Sequence, residues 1–84
     1  HIVNILAMHD VRVARYYYSR GAYVAAVNRA KHVLETYQTA AATEQALAVM
    51  VDAYGKMGLA GLQNDALRVL RLNYPQSVFL PENS

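Results

Sequence analysis

The chain has 84 residues, 55% of them hydrophobic, and a formal net charge of +2. That length allows one small domain, whose core is only marginally stabilised because small domains bury a lower fraction of their surface. It contains no cysteine, which excludes disulfides, thiolate metal sites and cysteine nucleophiles, and no apolar run approaches the roughly 18–20 residues needed to cross a bilayer.

Strand signals are poor: no period-two alternation is sustained. Helical spacing is clear. The first helix is predicted from about Ile2 to Arg20, with Leu6, Val13, Ala14 and Tyr17 on one stripe and His9 between Leu6 and Val13. Gly21 suits the reversal that follows, since glycine tolerates the left-handed backbone that ends many helices. The second helix is predicted from about Ala22 to Tyr37. Tyr23, Ala26, Val27, Ala30, Val33, Leu34 and Tyr37 repeat at steps of three and four, an amphipathic pattern with a wide buried face. Ala26 and Ala30 lie one turn apart and let a neighbouring helix come close. In the third helix, predicted from about Ala40 to Met57, Leu47, Met50, Val51 and Tyr54 form the stripe. Thr39 is the expected N-cap and Glu44 the expected first-turn acid. The fourth helix is predicted from about Leu59 to Asn73, with Leu62, Ala66, Val69 and Leu70 facing one way and Leu67 and Tyr74 widening that face. Pro75 stops it. The tail, with Val78, Phe79 and Leu80, either folds back over a helix end or is a mobile terminus.

One interval organises these elements. Tyr17 and Gly21 reappear as Tyr54 and Gly58, a separation of 37 residues that also relates Tyr37 to Tyr74 and Val33 to Leu70. Self-similarity at a period of roughly 20–50 residues marks stacked repeats, which build recognition surfaces. The chain divides into a first helical hairpin (1–38), a second (39–75) and a tail (76–84). About three repeats are usual for independent stability, so two point to a piece of a longer array. The start at His1, with Ile2, Ile5 and Leu6 following at once, fits that expectation.

Ala14, Tyr17, Gly21, Tyr23, Ala26 and Ala30 match, in order and spacing, the tetratricopeptide pattern. Val51, Tyr54, Gly58 and Pro75 match it in the second unit, where Ala60, Gln63 and Leu67 replace a Tyr and two Ala. Gln38 stands at the proline position of the first unit, Asp10 stands where a large aromatic is usual, and the interval exceeds the usual ~34 residues by about three. The fold class is therefore all-α, tetratricopeptide-like helical hairpins. The segments "VARYYYSRGAYVAAVNRAKHVLETY", "ALAVMVDAYGKMGL" and "ALRVLRLNYP" narrow the match. Joined in this order they resemble the C-terminal part of the BamD (ComL) family of outer-membrane assembly lipoproteins of Gram-negative bacteria. The resemblance implies a non-enzymatic scaffold without cofactors on the periplasmic face of the outer membrane. Its implied partners are the periplasmic POTRA domains of BamA, with the small lipoproteins BamC and BamE as further candidates. It also implies that the complex folds and inserts β-barrel proteins, and that the C-terminal repeats carry the BamA contact. The acylated N-terminal cysteine of the family is missing here, so attachment to the membrane is expected only through a lipid anchor outside this chain.

Within that frame Arg29, in "VNRAK", is the leading partner-binding residue. It lies one step off the Tyr23–Ala26–Ala30 stripe, the family uses an Arg in this segment at the BamA junction, and a guanidinium grips a carboxylate or carbonyl with two hydrogen bonds. The competing reading is a salt bridge within the stack, to Asp52 or Glu35. Asn28 is a second partner-binding candidate or a bond to a neighbouring turn. Tyr17 is expected in the core, while Tyr16 and Tyr18, with Arg20, are candidates for the partner surface, the alternative for the tyrosines being packing against a preceding repeat. Arg12, Arg15, Arg20, Arg29 and Lys31 face a single acid, Asp10, in the first 31 residues. They form either a solvated face or a basic stripe for an acidic partner. His1, His9 and His32 lack metal-ligand spacing, and His9 is expected to be an ordinary packed residue. Ser19, Ser77 and Ser84 have no base and acid arranged nearby. Two other readings compete: a tetratricopeptide adaptor for peptide tails, and a helical-repeat RNA binder. Arg15, Arg20 and Arg29 have Asp52, Met57 and Ala66 as counterparts in the second unit, which argues against a nucleic-acid track.

Overall fold

In a computed structural model, which describes residues 1–84, four helices follow one another: α1 (Ile2–Ser19), α2 (Tyr23–Thr36), α3 (Ala40–Lys56) and α4 (Ala60–Asn73). A 3₁₀ turn at Pro81–Asn83 comes last. The chain is all-α, and each predicted helix boundary lies within one residue of the observed one.

The recurring Tyr and Gly have a backbone meaning. Gly21 and Gly58 adopt φ of 79° and 72°, the left-handed region that a side chain resists. In the first turn the Gly21 N–H donates to the Tyr18 carbonyl at 3.0 Å and the Ala22 N–H to the Tyr17 carbonyl at 2.9 Å. In the second, the Gly58 N–H donates to Gly55 at 3.1 Å and the Leu59 N–H to Tyr54 at 3.0 Å. Both are Schellman closures, which satisfy the last carbonyls of a helix and reverse the chain. The interval thus reproduces one hairpin twice.

Each helix packs on the next, and α1 also packs against α3. That places α3 at the centre, buried from Ala46 to Tyr54 with Asp52 the one interruption. Small side chains make the close approach possible: Ala7, Ala14, Ala26, Ala30, Ala42, Ala46 and Ala53 are fully buried. Neighbouring first helices of the two repeats also meet through charge. Arg15 Nη1 lies 2.7 Å from Asp52 Oδ2, at positions one repeat apart. Their opposite signs, the feature that broke the repetition of basic residues, add an ion pair between two units already packed together through α1, α2 and α3. Both side chains are well exposed, so the pair contributes at most about 1 kcal/mol.

Several expectations are corrected. The buried stripe of α1 is Ala7, Asp10, Val11 and Ala14; Leu6 is half-exposed and His9 is exposed rather than packed. Contact with α2 and α3 selects the face with small side chains, and Leu6 falls outside it. In α4 only Ala66 and Leu70 are buried, while Leu62 and Val69 face outward, because α4 has α3 as its single helical neighbour. Thr39 occupies the N-cap position of α3 but its hydroxyl makes no capping bond and is buried without a partner. Glu44 lies beyond the first turn of α3, which holds no acid.

The tail folds back. Leu80 is fully buried and joins Leu47 and Leu70 in a second apolar cluster. Asn83 donates to the carbonyls of Pro75 and Ser77 at 2.8 and 3.0 Å. Arg71 grips Glu82 with two bonds, Nε to Oε2 at 2.6 Å and Nη2 to Oε1 at 3.1 Å. Hydrogen bonding from Arg71 is the main cause that holds the Glu82 carboxyl below its ordinary range. Two outcomes are expected. Leu80→Ala lowers unfolding stability in urea titration by about 2–5 kcal/mol, the cost of emptying a buried leucine site; a change within about 0.5 kcal/mol, the surface range, contradicts the docked tail. Because the folded carboxyl is the more acidic state, its contribution is present above the unfolded glutamate range and is lost as pH falls through the folded value. Proteolysis of the tail therefore accelerates on acidification below the ordinary glutamate range, and Glu82→Gln removes that part of the pH response.

Candidate functional site

An open recess of about 740 Å³ is lined by Asp10 and Tyr17 of α1, Ala25, Asn28, Arg29 and His32 of α2, and Tyr37 just beyond it. Its organising group is Asp10, on the buried face of α1 and only 8% exposed. A carboxylate so enclosed is costly unless paired and hydrogen-bonded. α2 supplies both partners. Arg29 and His32 are three residues apart and share a helix face. Arg29 Nη1 donates to Asp10 Oδ1 at 3.3 Å, and His32 Nδ1 lies 3.0 Å from Asp10 Oδ2. Tyr37 closes one end, its ring edge-on to His32 with centroids 6.0 Å apart.

The Arg29 side chain keeps 39% of its surface exposed while Asp10 keeps 11%. A guanidinium carries five N–H donors, and this one uses a single donor within the chain. At 3.3 Å that bond is longer than the ~2.7–2.9 Å of tight charge-assisted pairs. Arg29 is steered toward the recess without being consumed. Exposed Asn28, the preceding residue, adds an amide to the same lining. The arrangement offers a planar cation and an amide, flanked by tyrosine rings, to an acceptor-bearing group from outside.

The expected site residues therefore separate. Arg29 and Asn28 meet in the recess; Tyr16, Tyr18 and Arg20 do not line it. Arg29 is salt-bridged within the stack to Asp10, not to Asp52, which pairs with Arg15, nor to Glu35. Tyr18 is half-buried beside Tyr23, with ring centroids 5.5 Å apart and the Arg15 guanidinium 5.3 Å from its ring centre. Tyr16 is 58% exposed near the hairpin turn, with Arg20 stacked 6.0 Å from its ring centre. Tyr17 packs partly into the core. The basic residues do not form one uniform free stripe, since Arg15 and Arg29 are each engaged by a carboxylate. Sequence reading missed Asp10 and His32 as parts of the site. The available signal was the acid at a position where the repeat pattern has a large aromatic, with a His one turn after Arg29.

The family described as YfiO, outer membrane lipoprotein, matches residues 1–70. The outer membrane protein assembly factor BamD of Neisseria meningitidis serogroup A is 44% identical over 79 residues, which are 94% of this chain and 30% of that protein. BamD of Haemophilus influenzae is 38% identical over 73 residues, 87% of this chain and 28% of the relative. BamD of Vibrio cholerae is 31% identical over 70 residues, 83% of this chain and 29% of the relative. The chain thus spans about 30% of the length of the N. meningitidis relative. No solved structure matches it. With most of its length matched by the family and by these relatives, the chain belongs to the YfiO family of outer membrane lipoproteins.

Proposed function

We propose that this chain is a non-enzymatic scaffold segment of the machinery that assembles β-barrel proteins in the outer membrane, and that its recess docks the periplasmic POTRA domains of BamA. The relatives' shared name, outer membrane protein assembly factor, supports the process. The observation that carries the docking role is the half-exposed Arg29 guanidinium, held at the recess by Asp10 with most of its donors unspent. A partner carboxylate or backbone carbonyl is the matching chemistry. BamC and BamE are further partners on this reading, which places the segment on the periplasmic side. No helix is long and apolar enough to cross a membrane.

The Asp10–His32 pair is also two thirds of a hydrolytic relay. No Ser, Thr or Cys lines the recess, so the pair has no nucleophile to activate, and binding remains the better-supported role.

Arg29→Glu is expected to abolish binding of BamA POTRA domains in calorimetric titration. Arg29→Ala is expected to weaken it by about 2–5 kcal/mol, the usual cost of truncating one member of a buried interfacial charge pair. Circular dichroism on the same samples confirms that the helices persist. Undiminished binding by a folded Arg29→Glu protein contradicts the proposal.

A further inference from the structure

We infer that Asp10 is a positioning residue for partner recognition, ordering the Arg29 guanidinium over the recess before any partner arrives. The inference rests on the docking role proposed for Arg29 and adds to it a residue that never touches the partner.

Three observations carry it. Asp10 is enclosed, with a side chain 11% exposed, so it offers little to a partner. It stands on α1 and bonds across the helix interface to Arg29 and His32 on α2. Both its oxygens are engaged, Oδ1 by Arg29 and Oδ2 by His32, which fixes the plane of the carboxylate and hence the direction in which Arg29 extends. Stability is a poor explanation for such a group. An enclosed charge pair is frequently no more stabilising than an apolar replacement, and a large aromatic suits this position of the repeat. What the carboxylate supplies is pre-organisation. An arginine side chain free in solvent samples many rotamers, and a binding event that immobilises it must overcome that loss. Asp10 restricts those rotamers in the unbound chain. His32 lies against the other carboxylate oxygen, so the carboxylate stays oriented while a partner engages the free donors of Arg29.

The test is a double-mutant cycle in the intact chain, read as affinity for BamA POTRA domains, together with ¹⁵N relaxation of the Arg29 Nε–H group. Asp10→Asn is expected to weaken binding about five- to tenfold, the cost of ordering one rotamer-rich side chain, and to render the Arg29 Nε–H mobile. Asp10→Glu is expected to recover most of the affinity. In an Arg29→Ala background, Asp10→Asn is expected to cost nothing further. An Asp10→Asn penalty that persists in full in the Arg29→Ala background overturns the positioning role while leaving the docking role of Arg29 intact. Undiminished binding by Arg29→Ala alone overturns the docking role and this inference with it. The relaxation measurement on the wild-type chain requires no variant to fold: a freely mobile Arg29 Nε–H there contradicts the inference directly.

Discussion

The close approach of α1, α2 and α4 to a central α3 is the constraint on which the rest of this structure depends. It is made with alanines. Ala7, Ala14, Ala26, Ala30, Ala42, Ala46 and Ala53 are fully buried, and a side chain of one methyl group keeps neighbouring backbones near each other. Close helices carry consequences for polar groups. Asp10 on α1 comes within reach of Arg29 and His32 on α2, and Arg15 on α1 within reach of Asp52 on α3. The same geometry that excludes water from the core brings a carboxylate and a guanidinium together at its rim.

Repetition and its failures divide the labour. Where the two units agree, at Tyr17/Gly21 and Tyr54/Gly58, the backbone closes the same turn. Where they disagree, the differences have distinct uses. Asp52 in place of a second arginine adds an ion pair between the repeats. Gln63, where the first unit has Ala26, sends its amide 3.1 Å to the Val51 carbonyl, a bond between α4 and α3 that the first hairpin lacks. Asp10 departs from the repeat pattern and organises the recess. A tandem repeat therefore supplies the framework, and the non-repeating residues supply what distinguishes this surface.

Much of the fold was legible in the sequence because it rests on local chemistry. Helix ends followed from Gly21, Gly58 and Pro75, and the α2 stripe from seven apolar positions at helical spacing. The faces of α1 and α4 were less legible. Leu6, Leu62 and Val69 are apolar enough to read as core, yet the orientation of each helix is decided by neighbours distant in sequence. The tail was undecided for the same reason, since Leu80 is held by Leu47 and Leu70. At the recess, Arg29 was singled out by family resemblance and Asn28 as the residue beside it, whereas Asp10 was read as a departure from a pattern. A buried carboxylate is recognisable once its partners are known, and those partners lie on another helix.

If Arg29 docks a partner as proposed, the recess beside Asp10 faces another protein. A photo-crosslinking amino acid at Asn28, which is exposed at the recess but outside the Asp10 pair, tests it most directly against the same probe at Val69 on the outward face of α4. An adduct with BamA is expected from position 28 and little or none from position 69. Equal yields from the two positions, or an adduct from position 69 alone, would contradict that docking role.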